Sequence, residues 1–309
     1  MTPARSTAIA AYVVLGLVWG FNFVFMHMAS PFISAEQTTL LRIVFGLVPV
    51  VIFALAKRSF AWRHLRHIHH FLVMAVLASG LYYYAYAAGT YRLDSGIAGA
   101  LSGSIPLFAF LAAVVALRTE PFTARKAAGL VIGALGVFLL ARPWAAGAVD
   151  VTGVLFMLLG SASLGASFAY ARRFISPLGI PAAASATYQM VLASLGLLTF
   201  TDLHGITAIT QDPPTMVAVV LGLGAVGTGV AFILYYITIA GLGALTASTA
   251  TYIPPVIAMV IGAIFLHEPV LPSAILAVVL ILIAAVVTQT PAHLLAGVLA
   301  RGRKTSGRH

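Results

Sequence analysis

Apolar stretches of about 20 residues, the length that carries a helix across a hydrocarbon core of about 30 Å, follow one another along nearly the whole chain. They lack the strict alternation of apolar and polar positions that a membrane β-barrel strand needs. A backbone in lipid must satisfy its own polar groups, so these stretches predict helices. The pattern places spans at 8–28, 35–56, 69–90, 95–117, 124–141, 151–171, 182–200, 215–239, 243–266 and 271–289. The breaks carry Pro31, Arg92–Asp94, Glu120–Pro121, Pro143, Ser176–Pro177, Asp212–Pro214, Gly241–Gly243 and Glu268–Pro269, where helices stop or turn. The predicted fold class is an all-α integral membrane protein with ten transmembrane helices. The first run is longer than a leader peptide's core and has no small-x-small cleavage site before Pro31, so it is predicted to be a span.

Composition removes the soluble alternative. Only 8% of the 309 residues are charged and 61% are hydrophobic, whereas a soluble domain carries about 25% charge to face water. A net charge of +10 would suggest nucleic acid in a soluble protein. Here the basic residues sit between apolar spans, and the expected partners are the lipid bilayer and a small-molecule substrate. There is no cysteine, which excludes disulfides and thiolate metal sites. No metal or cofactor is predicted.

Basic residues sort by loop. With the N-terminus inside, the inner segments hold Arg5, Lys57, Arg58, Arg63, Arg66, Arg118, Arg125, Lys126, Arg172, Arg173, Arg301, Arg303, Lys304 and Arg308, which is 14 of the 17. Arg92 and Arg142 fall outside, and Arg42 lies within a span. Six of the seven acids fall outside, and only Glu120 is inside. The positive-inside rule thus predicts a multi-pass protein of the cell (inner) membrane with both termini cytoplasmic.

An ungapped internal repeat appears at an offset of 148 residues. Pro106 maps to Pro254, Glu120–Pro121 to Glu268–Pro269, and Asn22 to Tyr170. Each half, 1–146 and 147–309, holds five predicted spans. An odd number forces the second half to insert upside down. Inverted repeats are a recurrent architecture of secondary carriers, with the site between the halves. Pro106, Pro254 and Pro255 lie deep in their spans, and they read either as tolerated packing kinks or as hinges of a gate. Symmetry within one chain needs no partner copy, so a monomer is predicted.

The order of short motifs resembles the drug/metabolite transporter superfamily, in particular its EamA-type families. The residues that carry this are Trp19–Phe23, Leu41–Arg42, Glu120–Pro121, Ala166–Tyr170, Tyr188–Gln189 and Glu268–Pro269. Ser167 stands where relatives usually carry tryptophan. The resemblance implies two five-helix repeats around a central cavity and transport of small metabolites, often amino acids. An aromatic amino acid exporter is one member type it suggests.

Several polar and aromatic groups fall at membrane depth, where they are costly. Arg42 lies on the order of 10 Å below the outer surface. It either snorkels or bonds helix-end carbonyls, or it faces the cavity and attracts a substrate carboxylate. Tyr82, Tyr83, Tyr84 and Tyr86 wrap round one helix, so they cannot all face one cavity. The candidate substrate-binding set is Trp19, Asn22, Arg42, Tyr82, Tyr83, Tyr86, Ser167, Tyr170, Gln189, Tyr235 and Tyr252. Such a lining suits amphipathic organic solutes. No Asp or Glu falls inside a predicted span, so proton coupling through a buried carboxylate is not expected. His64, His67, His69 and His70 resemble a metal site only weakly; a patch facing lipid headgroups is expected. No paired acids or nucleophile with a base lies at depth, so an enzyme is not predicted. A channel, and carriers of sugars, nucleobases or drug-like compounds, remain alternatives to an amino acid carrier.

Overall fold

Hydrophobic runs with no water to bond their backbones become helices, and the computed structural model contains no strand among its described residues. It describes residues 4–116, 123–141, 149–243, 246–247 and 249–289. Arg118, Glu120–Pro121, Arg142–Pro143 and the basic tail (Arg301, Arg303, Lys304, Arg308) lie outside them. The rods are α1 (Arg5–Ala29), α2 (Ala35–Ala56), α3 (Trp62–Thr90), α4 (Ser95–Val115), α5 (Ala124–Ala141), α6 (Val151–Leu178), α7 (Ala182–Phe200), α8 (Pro213–Leu242), α9 (Thr249–Phe265) and α10 (Pro272–Gln289). Seven of them, α1–α4 and α6–α8, are long and apolar enough to cross a membrane, and α9 and α10 are shorter apolar helices.

Local chemistry sets the rod ends. Ser34 and Gln37 form a reciprocal capping box at the start of α2, with bonds of 3.3 and 3.1 Å, satisfying otherwise orphaned amides. The Asp150 carboxylate accepts from the Thr152 and Gly153 amides at 2.7 and 3.2 Å. Those amides, with Arg92, hold the exposed Asp150 carboxyl below its usual range. Asp212 caps α8 ahead of Pro213 and Pro214, which fit a first turn because it needs no N–H there.

Two rods extend beyond their predicted spans. α3 begins with a 3-10 turn at Trp62–His67, and α6 continues through a π turn at Ala171–Ile175. Exposed Arg63, Arg66, Arg172 and Arg173 ride on these extensions; hydropathy discounts them although arginine favours helix. The glycine-rich α8–α9 boundary breaks at Gly243, whose φ of 85° is left-handed backbone that glycine adopts freely.

The principal packing pairs are α5–α10, α2–α8, α4–α9, α3–α6, α1–α8, α2–α7, α1–α9 and α4–α6. Small residues let these rods approach closely. A side chain at Gly99 of α4 would collide with Ala258 of α9, and one at Gly20 of α1 with Ile257. The acid-bearing loops converge on one end of the bundle, where Arg92 pairs with Asp150 at 3.3 Å and Gln37 donates to the Asp202 and His204 carbonyls at 2.7 and 2.9 Å. At the opposite, basic end the Tyr188 hydroxyl lies 3.4 Å from His64, and the Tyr170 hydroxyl lies 2.7 Å from His70.

Candidate functional site

Arg42 sits one third of the way along α2, turned into the bundle and only 3% exposed. Its guanidinium carbon lies over the Tyr83 ring, 3.8 Å from the centroid. Its Nε donates to the Thr228 hydroxyl at 2.9 Å, and an Nη faces the Met26 sulfur at 3.8 Å. Among the described residues no carboxylate pairs with it; the ion pair found there joins Arg92 and Asp150. A buried cation with only neutral partners is costly. The tyrosine face offsets part of that cost, by about 2 kcal/mol when desolvated, and leaves an unmet preference for an anion.

Aromatic rings form one wall beside Arg42. Tyr82 packs on Tyr83 and Tyr86, with centroids 4.6 and 4.7 Å apart, and Tyr86 packs on Phe23 at 5.7 Å. The Tyr86 hydroxyl is 3.0 Å from the Ser161 hydroxyl of α6. Tyr84 points elsewhere, edge-on to Phe156. The facing part of α8 is a wide π-type stretch, Ala218–Val230, in which the Thr228 hydroxyl bonds the Leu223 carbonyl five residues back. The Asn22 amide donates to the Gly227 carbonyl at 3.1 Å, while its own oxygen is buried without a partner. Irregular helix of this kind is common at functional sites.

The other candidates lie around this group rather than in it. Trp19 packs on Tyr235, 5.9 Å between centroids, further toward the basic end. Ser167 is fully buried and bonds the Leu164 carbonyl, a local bond that small hydroxyls in helices often make. Tyr170 stacks with Phe174 near His70. Gln189 is half-buried on α7, and the Tyr252 hydroxyl donates to the Ala285 carbonyl at 3.2 Å. Met26 and Ser161, which touch Arg42 and Tyr86, escape sequence reading because nothing local marks them. His69 and His70 lie close, their tilted rings 4.0 Å apart at the centroids, but no three His, Asp or Glu among the described residues gather as a metal-holding group.

The deep prolines lie at two helix breaks that meet. α4 is interrupted by a turn at Gly103–Ser104 and resumes with Pro106 in its next first turn. α9 changes from a 3-10 turn, Thr249–Tyr252, to helix at Pro254–Pro255. A side chain at Gly103 would lie 3.2 Å from Pro255, so the breaks abut across the α4–α9 contact. An open bowl of about 650 Å³ at the acidic end, lined by Ser30, Glu36, Gln37, Phe200, Asp202 and His204 among others, lies over the loops and apart from Arg42.

Known proteins agree with this architecture. The model of the EamA-like transporter family matches the chain twice, over residues 6–142 and 151–290. The transporter YoaV of Bacillus subtilis is 23% identical over 86% of this chain and 90% of its own. The protein PecM of Dickeya dadantii is 21% identical over 88% and 89%. A solved crystal structure, 20% identical, superposes with a TM-score of 0.60 over 92% of this chain and 98% of its own, a likeness of fold. With seven helices among the described residues long and apolar enough to cross a membrane and a family model covering nearly its whole length, the chain is a multi-pass membrane transporter and belongs to the EamA-like transporter family.

Proposed function

We propose that the chain is a secondary carrier that moves small carboxylate-bearing organic metabolites, foremost aromatic or large neutral amino acids, outward across the cell membrane by alternating access. The observation that carries the reading is Arg42: a buried cation with no acidic partner among the described residues, laid against a wall of tyrosines. The cation matches a carboxylate, the rings match a flat or bulky side chain, and Pro106, Pro254 and Pro255 supply the hinges.

Two inverted five-helix halves, 1–146 and 147–309, supply the moving parts. Support comes from the two successive family matches and from the packing pairs. Exchanging each rod with the one five places along turns α1–α8 into α3–α6 and α1–α9 into α4–α6, and leaves α2–α7, α4–α9 and α5–α10 unchanged. The sorted charges favour cytoplasmic termini. With the described acids confined to loops and helix ends, transport runs with little or no proton coupling.

Uptake of a panel of radiolabelled amino acids into proteoliposomes tests the substrate class. Saturable uptake of phenylalanine, tyrosine or leucine, abolished for the corresponding amines that lack a carboxylate, is the expected result. Uptake of sugars or nucleobases with no amino acid transport would replace the reading.

A further inference from the structure

At the start of α4 the expected capping residue does not cap. Asp94 occupies the cap position without a side-chain bond to the helix. The cap comes instead from 173 residues away: the Glu268 carboxylate accepts from the Ser95 amide at 2.7 Å and the Gly96 amide at 2.9 Å, one oxygen to each. The surroundings are shaped to this hook. A side chain at Gly262 would collide with the Glu268 carboxylate and the Ser95 hydroxyl, and one at Gly96 would press on Met259. The preceding His267 is held at φ 54°, a strained left-handed conformation for a non-glycine residue.

We propose that Glu268 is the residue that holds the acidic end of the carrier shut, fastening the start of α4 to the α9–α10 turn, and that its release opens the central site to that side. The inference rests on the carrier reading above. Other contacts at this end are weaker fasteners. Arg92 and Asp150 have side chains 50% and 37% exposed, so water and salt screen them. The Gln37 bonds to the Asp202 and His204 carbonyls are neutral. Glu268 makes two charge-assisted bonds to a helix N-terminus, the strongest combination available there. It also joins a rod of the first half to the turn between two rods of the second. The left-handed His267 stores strain that opening would relieve, so the hook is both strong and releasable.

The absence of cysteine makes the test direct. Ala98, one turn into α4, is fully buried. In an Ala98→Cys reporter reconstituted in nanodiscs, where both faces meet water, the rate of labelling by a water-soluble maleimide reads opening at this end. Glu268→Ala removes the hook, and Glu268→Asp keeps its charge but shortens its reach. Each is expected to raise the labelling rate on the order of tenfold. A second reporter, Ala186→Cys in α7 (Ala186 2% exposed), should stay protected. No rise at position 98 with either variant, or an equal rise at 98 and 186 with both, overturns the proposal. Transport is not the readout, so a failed carrier reading would show separately as absent solute exchange.

Discussion

A guanidinium held inside the bundle by a phenol face and a threonine hydroxyl is a costly arrangement that a bound carboxylate would relieve. Arg42→Gln is therefore expected to weaken apparent affinity for a carboxylate-bearing substrate by about 10- to 100-fold, the worth of one charge-assisted bond. Arg42→Lys should restore only part of it, because an ammonium lacks the fork that lets one guanidinium sit over Tyr83 and bond Thr228 together. Concentration dependence of uptake checks both, and unchanged affinity in the two variants would remove Arg42 from the site. Asn22 makes a different case. Its truncation to Ala would leave the Gly227 carbonyl buried without its donor, at a cost of about 1–3 kcal/mol of stability, readable as a lowered melting temperature. Arg42 could be singled out in the sequence because a lone charge in an apolar run is conspicuous. Thr228 could not be named as its partner: it lies 186 positions away in the sequence, and no local pattern encodes the meeting.

At the scale of elements, periodicity and breaker residues made most rods legible, including α7 at 182–200 and α5 at 124–141 to the residue. They missed the charged extensions of α3 and α6, where a hydropathy window sees arginine and ends the span while the backbone continues. The role of Glu268–Pro269 was hidden for a related reason, since a motif that reads as a helix stop acts on the start of another helix. Beside it, Asp94 is partly buried and faces Glu268, with His27 as the opposing positive influence; burial first and the Glu268 charge second raise its carboxyl above the usual range. A raised carboxyl binds its proton more tightly in the folded state, so the Asp94 contribution to stability is greatest at acid pH and falls as pH rises through the Asp94 titration. Asp94→Asn removes that dependence and should raise the neutral-pH melting temperature by about 1–2 °C. A lower melting temperature would mean that the charge is favourable where it stands. Pro106 sits in a first turn, so Pro106→Ala should leave stability nearly unchanged. If the α4 break is a hinge, the substitution should slow turnover several-fold at unchanged affinity. Equal turnover would reduce the proline to packing.

For the molecule as a whole, the succession of apolar runs made the all-helical, multi-span architecture legible in outline, while the aromatic wall became visible only when α1, α3 and α6 were brought together around Tyr86. Described acids that lie in loops or at helix ends leave no carboxylate relay through the bundle, so dissipating a pH gradient should leave solute exchange unchanged. In the proposed reading one chain forms a carrier whose site opens to one side at a time. Counterflow in proteoliposomes tests it most directly: vesicles loaded with unlabelled aromatic amino acid are diluted into a trace of the same labelled compound. A carrier gives transient, saturable accumulation of label above equilibrium, lost in Arg42→Gln. Label that only equilibrates, linearly with concentration and indifferent to the internal load, would contradict it.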